Sequence, residues 1–287
     1  MKGIILAAGK GTRLYPMTKP VCKPLLPIYD KPMIFYPLCV LQQAGISEVL
    51  IITPPGETEP FEHLFGDGAH LGMRICYREQ PVQRGIADAF IIGADFIGAD
   101  RVCLVLGDNV FYGDGLEAKL AKAAANEDGA TIFGYWVEDP RAFGVVEFDA
   151  DGRAISIEEK PAAPRSNYIV PGLYFYSSDV VGIAKTLGPS ARGELEITDV
   201  NNVYLAQGRL GVVTLGSEFT WLDAGTEDSL LDSARTIAEL EKKTGRCVAC
   251  VEEQSYRNGW IGAEELRALG TELEKTKYGK YILSLLG

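Results

Sequence analysis

The chain has 287 residues, 47% hydrophobic and 23% charged, enough for one large α/β domain or two smaller ones with a sizeable core. A formal charge of −11 argues against nonspecific binding to nucleic acid or an anionic membrane, since both need a basic surface that displaces counterions. No apolar run reaches the roughly 20 residues of a membrane span, and the opening run is too short for a signal-peptide core, so a cytoplasmic protein is expected.

Taken in chain order, Lys2 to Ala7 reads as a buried strand, Pro32 to Ala44 as a helix, and Val49 to Thr53 and Met73 to Tyr77 as strands. Gly85 to Gly93 has a helical pattern and Arg101 to Leu106 is a further strand. Such alternation predicts right-handed crossovers and a mostly parallel sheet covered on both faces. Strand-like runs then crowd together at Thr131 to Val137, Gly144 to Phe148, Ala154 to Glu158 and Tyr168 to Tyr176, with Asp151-Gly152 as a hairpin signal. Helices are predicted at Asp179 to Thr186 and Ile197 to Ala206, and strands at Leu210 to Leu215 and Thr220 to Asp223. From Glu227 to Lys243 and beyond Gly262 the pattern is helical and charged. The expected organisation is an α/β domain over 1–225 in two halves, about 1–110 and about 111–225, followed by a helical region 226–287.

Six cysteines do not form a disulfide framework here, and Cys39, Cys76 and Cys103 lie in apolar runs where the thiol packs as a small hydrophobe. Cys247 and Cys250 make a lone C-x-x-C with no second pair or nearby His to complete a zinc site, in a segment that reads as a buried strand or turn. His63 and His70 are the only histidines, which leaves a Ser-His or Cys-His hydrolase with little support.

Three features carry chemistry. A strand runs into Leu6-Ala7-Ala8-Gly9-Lys10-Gly11-Thr12-Arg13-Leu14, where glycines let backbone N–H groups approach a phosphate chain and Arg13 adds a cation. It is neither a dinucleotide fingerprint nor a P-loop, and a plain tight turn is the alternative. Residues 1 to 31 hold six basic side chains against the single acid Asp30, so a polyanion is expected to dock there. A solvated basic face is the bland reading, although Pro20, Pro24 and Pro27 stiffen the segment. Finally, Asp108 follows one apolar strand and Asp223 ends another. Ligands bind beyond the carboxyl ends of strands in open parallel sheets, so the two acids could share Mg²⁺ with a triphosphate; alone, Asp108 could equally cap a turn.

These residues fall into a known pattern. Gly9-x-Gly-Thr-Arg-Leu, Lys23-x-Leu-Leu-Pro, Asp30-Lys-Pro-Met-Ile, Leu106-Gly-Asp-Asn, Gly144-Val-Val-Glu-Phe, Glu158-Glu-Lys-Pro, Gly193-Glu-Leu-Glu-Ile-Thr-Asp-Val-Asn and Trp221-Leu-Asp-x-Gly-Thr resemble the glucose-1-phosphate thymidylyltransferase family over nearly the whole chain. The resemblance implies a Rossmann-like three-layer α/β/α fold with a mixed central sheet. It also implies conversion of dTTP and α-glucose 1-phosphate to dTDP-glucose and pyrophosphate with Mg²⁺, supplying activated sugar for deoxysugar and polysaccharide synthesis. Members are commonly homotetramers with a second nucleotide site between subunits.

By the same resemblance, Leu6, Gly9, Gly11, Thr12 and Arg13 cradle the triphosphate, Arg13 steadies the departing pyrophosphate and Lys23 contacts phosphate. Gln80 and Gly85 meet the thymine base, and Asp108 and Asp223 hold the metal. Lys160 grips the sugar phosphate, while Ile86, Asn109, Gly144, Glu159, Val170, Tyr174, Thr198 and Trp221 form the sugar pocket. The sequence departs from the family pattern at Ala8 (commonly Gly), at Cys22 and Pro24 (Ser and Gln), and at Arg84, Ile86 and Asp88 (Asp, Leu and Gln). Two other readings are a uridylyl- or other nucleotidyltransferase acting on a different hexose 1-phosphate, and a non-catalytic nucleotide-sugar sensor.

Overall fold

A computed structural model describes all 287 residues. The first half contains β1 (Lys2–Leu6), a small hairpin of β2 (Pro27–Ile28) and β3 (Lys31–Pro32), α1 (Phe35–Gln43), β4 (Glu48–Thr53), α2 (Glu59–Phe65), β5 (Arg74–Glu79), α3 (Asp88–Ile92), α4 (Ala94–Ile97), β6 (Val102–Leu106), β7 (Asn109–Tyr112) and α5 (Leu116–Ala124). Then come β8 (Ala130–Trp136), β9 (Gly144–Phe148), β10 (Ala154–Glu159), β11 (Tyr168–Ile169), β12 (Leu173–Tyr176), α6 (Val180–Thr186), α7 (Ile197–Ala206), β13 (Leu210–Leu215) and β14 (Thr220–Asp223). The chain finishes with α8 (Glu227–Thr244), α9 (Val251–Arg257), α10 (Ala263–Glu272) and α11 (Lys277–Ser284).

The central sheet runs β5-β4-β1-β6-β12-β8-β13, parallel throughout except for β12, which is antiparallel to both neighbours. A ladder of β11, β9 and β10 branches from the far end of β8. Both faces are apolar, as the continuous Ile, Val and Leu runs require of a sheet covered twice. Ile5, Val49, Ile51, Cys103 and Val105 pack against α1, α2 and α5, whereas Ile4, Leu50, Ile52, Val102 and Leu104 pack against α3, α4, α6 and α7. Each fully buried Ile or Leu side chain contributes about 1.5–3 kcal/mol from its removal from water. The three-layer α/β/α architecture with a mixed sheet is the expected one.

Several boundaries differ from the sequence reading for local reasons. Tyr168 to Tyr176 is two strands: Pro171 supplies no N–H, and the chain leaves β8 and β9 after Ile169 before rejoining the sheet between β6 and β8 from Leu173. The helix expected from Gly85 begins at Asp88, because Gly85 holds φ 97°, outside the helical region. The helix expected from Pro32 begins at Phe35, since Lys31–Pro32 pairs with Pro27–Ile28. The Cys247–Cys250 segment is a turn that leads into α9.

The C-terminal helices dock on the α/β core. Thr226 and Ser229 close a reciprocal cap at the start of α8, and Thr226 follows β14 almost at once. Gln42 of α1 donates to the Val251 carbonyl and to Ser255 Oγ, fixing α9 against α1. No helix is long and apolar enough to cross a membrane.

Candidate active site

Strands β1 and β6 are parallel neighbours with Leu6 opposite Leu106, so the loops that follow them leave the sheet together. The Gly107 N–H donates to the Leu6 carbonyl at 2.9 Å, which sets the glycine turn beside Asp108. Gly11 takes φ 59° as it enters a single 3-10 turn, Thr12–Leu14; there its own carbonyl accepts from Thr18 Oγ1, and a Cβ would come within 3.0 Å of Lys23 and Thr18. Gly9 is exposed and has open space where a Cβ would be.

The two acids meet through a pairing four residues long. Strand β14 lies antiparallel to β7 with Asp223 opposite Asn109, and Asp108 is the residue before Asn109. Lys23, buried on its own 3-10 turn, donates to Asp108 Oδ2 at 2.5 Å, and Asn109 Nδ2 donates to Oδ1 at 2.9 Å. Burial works against the Asp108 charge, but the Lys23 ammonium overrides it and lowers the pKa. Asp223 is the opposite case: burial raises its pKa, Asp108 raises it further, and the charges of Lys23, Arg13 and Lys160 act against that rise. Neither Asp223 oxygen accepts a hydrogen bond from the chain. The guanidinium of Arg13 lies across Gly225, where a Cβ would be 3.1 Å from Nη2 and 3.2 Å from Asp223 Oδ2.

Asp108, Asn109, Asp223 and Arg13 line a cleft of about 930 Å³. Its walls bring together Arg13, Asp108 and Asp223 with Lys160 and with Ile86, Asn109, Gly144, Glu159, Val170, Tyr174, Thr198 and Trp221. Lys160 has φ 46°, a left-handed conformation that costs a non-glycine residue about 1–2 kcal/mol. Such strain concentrates at functional sites. A Cβ on Gly144 would lie 3.3 Å from both Glu159 Oε2 and Thr198 Oγ1, so glycine keeps the floor open.

Some of the expected pocket residues already have partners. Thr198 donates to Glu159 Oε2 at 2.6 Å, and Arg192 donates to Glu159 Oε1 at 3.2 Å. Asn109 Oδ1 accepts from the Gly172 N–H and from Trp221 Nε1, so this side chain organises the floor under Asp108. Burial, followed by the charges of Glu159 and Asp108, pushes the Tyr174 hydroxyl up and keeps it neutral.

Leu6, Gly9, Gly11, Thr12, Lys23, Gln80 and Gly85 do not line this cleft. Gln80 is buried at the end of β5, and Gln83 Nε2 ties its loop to the Ala8 carbonyl at 2.6 Å, beside the glycine turn. Sequence reasoning missed the wall that α8 contributes: Thr226, Ser229, Asp232 and Ser233 all face the cleft. It missed Arg192 as well, which joins Glu159 to Glu196. The capping pattern of α8 was the available signal for the first of these; nothing local marks the second. Cys247 and Cys250 border a separate cavity of about 230 Å³ between α1, α5 and α9.

The profile of the nucleotidyl transferase family matches residues 2–239. The chain belongs to that family. It is a nucleotidyltransferase enzyme, and relatives match it end to end. A glucose-1-phosphate thymidylyltransferase of Mycobacterium tuberculosis is 55% identical over 286 residues, covering 100% of this chain and 99% of the relative. One of Neisseria gonorrhoeae is 53% identical over 287 residues and 100% of both chains. A Bacillus anthracis protein assigned to the same activity, crystallised with sucrose, superposes with a TM-score of 0.77 at 42% identity, covering 82% of this chain and 94% of that one. Nucleotidyltransferases of this family use a divalent metal. The donor set here fits one: two adjacent carboxylates supply hard oxygen ligands, and Asp223 is a half-buried acid with no donor of its own.

Proposed function

We propose that the enzyme transfers a thymidylyl group from dTTP to α-D-glucose 1-phosphate, releasing pyrophosphate and forming dTDP-glucose. The observation that carries this reading is the pairing of β7 with β14, which brings Asp108 and Asp223 together in one cleft that Arg13 and Lys160 also line. Cations and carboxylates in that arrangement suit a reaction between two phosphate anions. The full-length identity to thymidylyltransferases supports dTTP and glucose 1-phosphate as the substrates.

The nucleophile is an oxygen of the sugar phosphate, ionised at neutral pH, so no general base is required. It attacks the α-phosphorus in line, the bond from that phosphorus to the bridging oxygen breaks, and pyrophosphate leaves with the electron pair. Lys160 holds the incoming phosphate, and Arg13 with the glycine turn takes up charge on the leaving group. Lys23 orients and charges Asp108, while Gln80 and Gly85 hold the base. Mg²⁺ bound by Asp108 and Asp223 would supply Lewis-acid stabilisation of the phosphate oxygens.

On this reading residues 1–110 serve the nucleotide and 111–225 the sugar, 226–287 forms a helical region, and the enzyme works as a cytoplasmic homotetramer. A pyrophosphate-release screen of the common triphosphates against hexose 1-phosphates, with and without Mg²⁺, tests it. The expected outcome is Mg²⁺-dependent turnover fastest with dTTP and glucose 1-phosphate. Preference for another pair would favour a sister nucleotidyltransferase, and no turnover with any pair would leave a sensor. A chiral α-thiotriphosphate should be inverted at phosphorus; retention would require a covalent enzyme intermediate.

A further inference from the structure

The Gln80–Asp88 stretch contains an arrangement that the mechanism above does not use. Gln80 Nε2 donates to Asp88 Oδ2 at 3.0 Å and reaches the Gly85 carbonyl at 3.4 Å. Asp88 opens α3 and is 1% exposed, and its other oxygen accepts from Arg84 Nη2 at 2.7 Å. A carboxylate paired with a guanidinium offers only acceptors, and so does a backbone carbonyl. Both hydrogens of the Gln80 amide are therefore committed within the chain. Only Gln42 Oε1 and Asn201 Nδ2 are sealed from solvent without a partner; Gln80 Oε1 accepts nothing from the protein and is not fully sealed, although the residue is 4% exposed.

The loop that holds this arrangement is pinned on both sides. The Leu195 N–H donates to the Arg84 carbonyl at 2.6 Å and the Ala87 N–H to the Leu195 carbonyl at 3.2 Å. A Cβ on Gly85 would fall 2.5 Å from the Leu195 carbonyl oxygen, so only glycine lets the turn lie this close to Leu195.

We propose that Asp88 is a positioning residue for base specificity: it fixes the Gln80 amide so that the site shows the base an acceptor and not a donor. The inference rests on Gln80 as the base reader. A glutamine free to rotate can present either end of its amide and so reads a ring N–H or a bare ring nitrogen equally. Held by Asp88, it pairs with the ring N–H of thymine or uracil and sets oxygen against the unprotonated ring nitrogen of cytosine. Discrimination between pyrimidines then comes from a residue that touches no substrate.

The test compares kcat/KM for dTTP and dCTP with glucose 1-phosphate in the unaltered enzyme, Asp88→Asn, Gln80→Ala and the double variant. The Asp88→Asn side chain can donate as well as accept and no longer dictates the rotation of Gln80. The dTTP-over-dCTP ratio should fall about tenfold or more, mainly through KM, the scale of one unpaired buried polar group. Asp88→Glu, which restores an acceptor-only partner, should recover part of the ratio. In the Gln80→Ala background Asp88→Asn should leave the ratio unchanged, because the group it orients is gone. A folded Asp88→Asn enzyme with its ratio intact would overturn the proposal. If that variant does not fold, a crystal structure of the unaltered enzyme with dTTP decides. Gln80 Oε1 on the base N–H, with Nε2 still on Asp88, upholds the proposal, and Gln80 rotated away from Asp88 overturns it. If the unaltered enzyme fails to use dTTP, the proposed substrate is wrong, and the inference about Asp88 falls with it.

Discussion

Two buried lysines, eight positions apart in sequence, sit in clusters of opposite design. Lys31 is 3% exposed and donates to Asp30 at 2.5 Å; Glu241 of α8, also 3% exposed, lies 3.5 Å away. Glu241 accepts the Val248 N–H and pairs with Lys277, and the Lys31 ammonium lies over the rings of Tyr36 and Tyr278. Every charge there has a partner within the chain, and the cluster ties α8 and α11 to the core. Around Lys23 only Asp108 is paired. Arg13 has no carboxylate partner, Asp223 accepts no hydrogen bond, and Lys160 reaches only Glu159, at 3.9 Å. Charges that satisfy one another hold a fold together, while charges left unmatched are poised for a ligand that brings the missing sign.

The comparison breaks if removing an unmatched cleft charge destabilises the fold, or if neutralising a junction charge slows turnover. Arg13→Ala should have the largest effect, lowering kcat by about 10²–10³-fold. Its melting temperature should stay close to that of the unaltered enzyme, because an exposed and unpaired guanidinium contributes little to folding. Steady-state kinetics and a thermal melt on the same preparation check both halves.

Lys160→Gly should cost roughly 10–10² in kcat/KM for the sugar phosphate, the loss of a charge-assisted contact. It should also gain up to about 1 kcal/mol in stability by relieving the left-handed backbone. Chemical denaturation that showed destabilisation would mean that Lys160 is structural. Glu241→Gln is the smallest of the three: about 1–2 kcal/mol of stability lost as Lys31 keeps only Asp30, with turnover per folded enzyme within roughly twofold of normal. A selective loss of turnover would show the junction acting on the cleft.

The parts of this account legible in sequence are those with local signals. β1, β6, β9, β13 and β14 are continuous apolar or alternating runs, and the glycine turn, Asp108 and Asp223 could each be placed at a strand end. Their meeting could not be derived that way, because β7 is four residues long and its register with β14 is set across more than a hundred positions. Helix α5 was overlooked although Leu116, Leu120 and Ala123 recur at helical spacing and are buried. Asp88 reads in sequence as an ordinary acid in the first turn of a helix; only the fold shows that it is buried and bonded to Gln80. The same limit hides Arg192, whose carboxylate partners come from different elements.

The most direct test of the central claim is kcat against Mg²⁺ concentration, with melting temperature in metal-free buffer, for Asp108→Asn, Asp223→Asn and the double variant. If the two acids share one ion, each single variant loses most of its rate and the double loses little more, because the second change removes a ligand from a site already broken. Their stabilities should diverge in sign. Asp223 has a raised pKa in the fold, so its charge is a liability there at neutral pH, and Asn should raise the melting temperature. Asp108 has a lowered pKa and pairs with buried Lys23, so Asn should lower it. Near-normal turnover in both single variants, with stability losses that add in the double, would contradict the shared metal site and the mechanism built on it.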